Sequence, residues 1–192
     1  TGDSGLWITY NGEIYNYLEL REGLESDGFI SRTASDTEVL LNMYRRDDSA
    51  CLGQLNGMFA FALWDRRERR LFAARDRLGI KPFYYACVDG MFLFASEIKA
   101  LLLHPAIRAE VHFDALQDYI DLQYCLEDKT LFKSIHRLLP GYCLTWQDNR
   151  LSVEKYWDLD FTPAEHGGSD EALAELLRDA VRLRLRSDVP VG

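Results

Sequence analysis

Cysteine is scarce in this chain: four in 192 residues, at positions 51, 87, 125 and 143, with no CxxC pair and no histidine pair nearby. That spacing offers neither a zinc site nor a disulfide framework, so no metal is expected and a reducing cytoplasm is the expected setting. Long apolar runs are also missing. The longest, MFAFALW from Met58 to Trp64, is far too short to span a bilayer, so no membrane partner is expected. The opening TGDSG carries no basic stretch followed by an apolar one, and no secretory signal is visible. Positive charge is in the minority, 22 Lys and Arg against 31 Asp and Glu, and the net charge of −9 argues against a nucleic-acid partner. The arginine-dense DRRERR, Asp65 to Arg70, sits between two strand-like runs and reads as a solvated hairpin tip. His104, His112, His136 and His166 have no helical pairing with acids or cysteines and are expected at the surface or in turns. No internal repeat occurs.

What is present is a core and its punctuation. Hydrophobic residues make up 47% of the chain and aromatics 12%, enough to bury a sizeable core and to argue against disorder. A strand is expected over Leu6–Tyr10, followed by a helix capped by Asn16, with Glu19 three residues on, and stopped by Gly28. A second helix opens at Ser35, where Glu38 gives capping-box spacing and Val39, Leu40, Met43 and Tyr44 supply a buried face. GMFAFALWD and RLFAARD read as strands joined by the arginine turn. Asp89-Gly90 and Asp148-Asn149 each sit between alternating runs as two-residue hairpin turns. Short helices are expected near 97–103 and 114–124. After Trp157 the composition shifts: DLDFTPAEHGGSD reads as a linker, EALAELLRDAVRLRLRSD as an amphipathic helix, and VPVG as a strand barely begun. The chain therefore reads as a fragment that stops mid-element.

Asn11-Gly12-Glu13 falls between the first strand and the first helix. Asn-Gly is a strong hairpin signal, yet a hairpin should continue into a second alternating strand, whereas EIYNYLELREGLESDG has helical spacing. The pair is therefore expected at the open end of a strand, facing a cleft. An asparagine side chain donates N–H, and a glycine amide can approach a substrate closely because no Cβ intervenes. Two such donors aimed at one developing oxyanion make the hole that acyl transfer needs, each worth about 3–4 kcal/mol of barrier. Glu13 could pair with a substrate ammonium. On the residues alone the hairpin and oxyanion readings both stand. Arg75 and Asp76, ahead of a Gly-Ile-Lys-Pro turn, read as a structural ion pair rather than a catalytic one, and Lys81 and Glu97 are left out of the chemistry. The four cysteines read as small buried apolar side chains.

The stretches YNGEIYNYLELR, SDTEVLLNMY, LNGMFAFALWD, LFAARDRLGIKPFYY, FLFASEIKALLLHP and LRLRSDVPVG, in that order, resemble glutamine-hydrolysing asparagine synthetase across almost the whole chain. The resemblance implies an α+β fold. It comprises an Ntn-hydrolase-type αββα sandwich, lacking its first strands, plus the first helix of an α/β ATP-pyrophosphatase-like synthetase domain. It implies a class II glutamine amidotransferase (type 2) domain over 1–160, a linker over 161–170 and the start of the synthetase domain over 171–192. In this family an amino-terminal cysteine attacks the glutamine side-chain amide with its own α-amine as base, and ammonia passes on to ATP-activated aspartate. Asn11 and Gly12 match the oxyanion hole, and Asn11, Gly12, Glu13 and Asp36 match the glutamine-binding residues. Asp36 also has a plain reading as a first-turn acid favoured by the helix dipole, and the two roles can coexist.

Against the family pattern, no cysteine here lies at a terminus, and Thr1, in a turn-like stretch, is not favoured as its substitute. The Ser-Gly-Gly pyrophosphate loop that would follow SDVPVG is also outside these residues, so no cofactor is expected here. ATP and Mg2+ belong to the implied synthetase half. The expected partners are glutamine here, with aspartate and ATP for the parent protein; a homodimer is left open. The chain alone is expected to be inactive. The alternatives are a paralogous amidotransferase serving another acceptor and a catalytically dead binding or regulatory module of the same fold. A glutamine amidotransferase of purine or amino-sugar synthesis is a weaker one.

Overall fold

The computed structural model describes residues 5–162 and 169–186. The expected strand over VPVG and most of the linker fall outside them, as does His166. The chain divides into two units, one from Thr1–Glu13 and Met58–Asp158, the other from Ile14–Gly57 and Leu159–Gly192.

The first unit is built on two sheets. β1 (Leu6–Ile14), β2 (Gly57–Asp65), β3 (Arg70–Arg75), β7 (Tyr142–Gln147) and β8 (Arg150–Lys155) form a five-stranded sheet in the order β1-β2-β3-β7-β8. β4 (Tyr84–Val88), β5 (Met91–Ala95) and β6 (His136–Arg137) form a smaller one in the order β5-β4-β6. The expected hairpins are present: β2 and β3 meet through the exposed arginine turn, with Asp65 Oδ1 accepting from the Arg67 and Glu68 amides. Asp89-Gly90 and Asp148-Asn149 make the other two turns, all four residues at positive φ, as the favoured two-residue turn demands. The sheets face each other through small and large side chains that interdigitate: Ala60, Ala62 and Ala73 from one, Phe83 and Tyr85 from the β4 side, with Leu138 and Leu144. Phe92 stacks on Trp146 across this interface with ring centroids 5.6 Å apart. On its other face the smaller sheet packs against α3 (Ile98–Leu101), burying Ala86, Leu101, Ile107 and Ile135. α4 (Phe113–Leu122) is capped by His112, whose Nδ1 accepts from the Ala115 amide.

The turn after β3 explains the Arg75-Asp76 pair. Asp76 is 1% exposed, and its carboxylate accepts from the amides of Phe59, Leu78, Ile80 and Lys81. The Arg75 guanidinium donates to the carbonyls of Gly79, Lys81 and Leu138, each at 2.7 Å. The structural reading is right in kind, but the stabilisation runs through backbone groups. A carboxylate held by several N–H donors satisfies groups that would otherwise be buried unpaired.

The second unit contains α1 (Tyr17–Ser26), α2 (Asp36–Asp47), a 3-10 helix (Asp48–Gln54) and α5 (Asp170–Arg184). α1 and α2 pack on each other, and Leu24, Val39, Leu40, Met43, Tyr44, Cys51 and Leu52 are buried. Ser35 caps α2 as expected, its side chain accepting from the Thr37 amide. The rest of the capping box is not formed, because Glu38 bonds the Arg32 and Thr33 amides instead. Asn16 precedes α1 but does not cap it. Its Nδ2 donates to the Gln54 carbonyl and its Oδ1 accepts from the Asn56 amide, so it ties two distant segments together. No helix among the described residues is long and apolar enough to cross a membrane.

Candidate active site

β1 runs from Leu6 to Ile14, so Asn11, Gly12 and Glu13 lie inside it and not at its open end. This corrects the expected junction: the strand outlasts its apolar alternation because β2 lies alongside it in the sheet. Asn11 is exposed, while Gly12 and Glu13 are half-buried. Gly12 has φ +156°, and a Cβ there would lie 2.2 Å from the Met58 carbonyl oxygen and 2.6 Å from the Phe59 Cα. Only glycine allows β1 to come that near the β2 backbone.

Asn11 lines a cleft of about 330 Å³ between the two sheets, with Thr9 and Tyr10 from its own strand, Ala60 and Phe61 from β2, and Phe83 and Phe94 from the facing side. Phe83 and Phe94 stack with centroids 5.6 Å apart and interplanar angle 4°, giving that wall a rigid apolar surface. The volume, and a lining that exposes somewhat more polar than apolar surface, suit a small polar ligand. Asn11 Nδ2 points to Ser96 Oγ at 3.5 Å, the long limit of a hydrogen bond. Such a bond yields readily to a better acceptor. Ser96 lines the same cleft, a placement that sequence reasoning missed. It follows β5, 85 positions away, and nothing in its local pattern marks it.

Asp36 opens α2, and its Oδ2 accepts from the Ile14 amide at 3.0 Å while its Oδ1 accepts from the Thr37 hydroxyl. The carboxylate is thereby fixed in orientation.

The thiols separate. Cys51 and Cys143 are buried, as expected, but Cys125 is half-buried, its Sγ donating to the Ala115 carbonyl, and Cys87 is exposed at the edge of its hairpin. Burial pushes the Cys143 thiol up to about 11, so it presents no thiolate near neutrality. His136 departs from expectation too: it lies in β6, stacks on Tyr85 and pairs with Asp128 at 3.0 Å. Among the described residues, no cluster of three or more His, Cys, Asp or Glu could hold a metal ion.

Comparison with known proteins decides the family: the model for the glutamine amidotransferase domain matches residues 1–157. The chain belongs to the glutamine amidotransferase domain family. It is similar to asparagine synthetase [glutamine-hydrolyzing] 3 of Bacillus subtilis, 43% identical over 96% of this chain and 30% of that protein. It is also similar to amidase chyE of Penicillium rubens, 36% identical over 99% of this chain and 29% of that protein. This amidotransferase chain thus spans about 30% of the length of those relatives. Among solved structures it resembles the glutamine phosphoribosylpyrophosphate amidotransferase of B. subtilis with TM-score 0.57 and 22% identity, covering 82% of this chain and 30% of that one. That likeness shows the fold, the Ntn-hydrolase fold of glutamine amidotransferases, in keeping with the paired antiparallel sheets.

Proposed function

We propose that this amidotransferase domain binds glutamine in the Asn11 cleft and forms the glutamine-hydrolysing part of an asparagine synthetase. A thiolate supplied from outside these 192 residues adds to the side-chain carboxamide carbon, and the carbonyl oxygen becomes an oxyanion. Asn11 Nδ2 and the Gly12 amide stabilise that charge. The C–N bond then breaks, ammonia leaves with a proton, and water releases glutamate from the thioester. Family resemblance assigns Glu13 and Asp36 to the substrate's polar end, Asp36 to its α-ammonium. The observation that carries this reading is Asn11: an exposed amide donor in a cleft of suitable size, resting on a weak partner, within the strand whose neighbouring glycine no other residue can replace.

Residues 1–160 are the glutaminase domain, 161–170 a linker, and 171–192 the start of a synthetase domain that uses ATP and Mg2+ through residues beyond this chain. Supporting this, α5 leaves Leu173, Leu176, Leu177 and Val181 exposed, an apolar stripe of the kind a continuing domain covers. Four free cysteines suit a reducing, cytoplasmic setting. A second reading is transfer of ammonia to an acceptor other than aspartate; a relative named as an amidase, and not as an asparagine synthetase, matches the chain as fully as the synthetase does.

The test uses the full-length protein and glutamate release from glutamine. Asn11→Ala should lower kcat by about 10²–10³-fold, and Asp36→Ala should raise KM for glutamine with a smaller effect on kcat. Wild-type kinetics in both variants would overturn the site. Absence of glutaminase activity in the intact protein would favour a module without catalysis. Ammonia transfer to aspartate, assayed alongside, separates the two acceptor readings.

A further inference from the structure

Past the end of α5, Arg186 reaches the segment Ile14-Tyr15-Asn16. Its Nη1 donates to the Tyr15 carbonyl at 2.7 Å and to Glu19 Oε2 at 2.6 Å, and its Nη2 donates to Glu19 Oε1. The guanidinium fork is therefore filled by a bidentate carboxylate and a main-chain carbonyl, a geometry that lysine cannot reproduce. Arg184 adds a cation over the Tyr15 ring, 4.9 Å from its centroid. The Arg186 side chain is only 17% exposed, so this is a seated contact and not a loose surface pair.

The same three residues are gripped from two further directions. The Ile14 amide donates to Asp36 Oδ2, and the Tyr15 amide donates to the Asn56 carbonyl. Asn16 bonds Gln54 and Asn56 through its side chain. The Tyr15 carbonyl lies one residue beyond Ile14, so Arg186, Asn56 and Asp36 hold one short continuous stretch of backbone, and releasing the carbonyl loosens the stretch that carries the Ile14 N–H on which Asp36 is anchored. We propose that Arg186 is a positioning residue for the glutamine site, acting through Tyr15 and Ile14 to orient the Asp36 carboxylate. The inference rests on the assignment of Asp36 to the substrate α-ammonium. It goes beyond that assignment in giving a residue after the linker a part in glutamine affinity. Arg186 does not touch substrate and takes no part in bond making.

Because Asp36 would hold the ammonium equally in ground and transition states, loss of its orientation should appear in KM. In the full-length protein, Arg186→Ala should raise KM for glutamine by about fivefold to tenfold while kcat stays within about twofold. Glu19→Gln, which keeps the Tyr15 bond, should raise KM by a smaller factor. The double variant Glu19→Arg/Arg186→Glu should recover part of the KM lost in either charge-reversed single variant. Thermal melts of all variants accompany the kinetics. A KM for Arg186→Ala within twofold of wild type, or a fall in kcat and melting temperature with no change in KM, would overturn the proposal and leave Arg186 a structural tie. Asp36→Ala is run in parallel. If it raises KM and Arg186→Ala does not, this inference alone fails; if Asp36→Ala leaves KM unchanged, the substrate assignment fails and this inference falls with it.

Discussion

A Cβ on Gly12 would meet the Met58 carbonyl oxygen at 2.2 Å and the Phe59 backbone at 2.6 Å. Those atoms are themselves held: the Asp76 amide donates to the Phe59 carbonyl at 2.7 Å, and the Asp76 carboxylate takes the Phe59 amide. The β2 backbone cannot retreat without breaking bonds to a buried carboxylate. Gly12→Ala should therefore cost about 2–3 kcal/mol of stability, read from urea unfolding. A variant that unfolds with wild type would mean that the two strands approach less closely than described. The residue scale also shows why Asn11 and Gly12 differ in kind: Asn11 is needed for a donor, Gly12 for the absence of a side chain.

At the scale of elements, the hairpins obey local rules. Asp148 and Asn149 have φ of +49° and +57°, and Asp89 and Gly90 +49° and +72°. These conformations suit Asn, Asp and Gly and penalise β-branched side chains. Asn149→Gly should leave stability within about 0.5 kcal/mol of wild type, whereas Asn149→Val should lose about 1–2 kcal/mol, measured by chemical denaturation. Equal effects would show that the turn is held by its strands and not by its own residues. The helices follow local rules less closely. Ser35 caps α2 as its sequence suggests, but Asn16, with the same apparent qualification before α1, is drawn off to Gln54 and Asn56. Two backbone groups 38 and 40 positions away offered better geometry than the helix end.

For the whole molecule, the titrating groups define a pH window. Hydrogen bonding to Arg186 holds the Glu19 carboxyl at about 2, against an ordinary 4.5, and Arg46 likewise holds Asp47 down. A lowered carboxyl contributes stability above its unfolded value and loses it as pH falls through the folded one, so the acid limb lies between about pH 4.5 and 2. Its height is modest, because Glu19 is half exposed and screened by solvent. Burial raises the Cys143 thiol from 9.0 to about 11 and the Tyr85 hydroxyl to about 12. Groups kept neutral in this way stabilise fully below their unfolded values and lose that contribution as pH rises through the folded ones. Thermal melts of the chain should thus show a plateau from about pH 5 to 9, falling on both sides. High salt should flatten the acid limb more than the alkaline one, since ion pairs are screened and burial is not.

By itself the sequence determined the strands other than β6 and the far end of β1, the three hairpins, the cap of α2, the solvated arginine turn and the family to which the chain belongs. Each depends on neighbours within a few residues, through period-two alternation, turn chemistry or a motif read in order. Tertiary structure alone decided that β1 continues through Asn11-Gly12-Glu13, that Ser96 stands beside Asn11 from 85 positions away, and that Arg186 meets Glu19 across 167. Pairings at such separations are set by how sheets and helices close on one another. Neither Ser96 nor Arg186 differs, in local pattern, from any other serine after a strand or arginine after a helix, so only the folded chain could single them out.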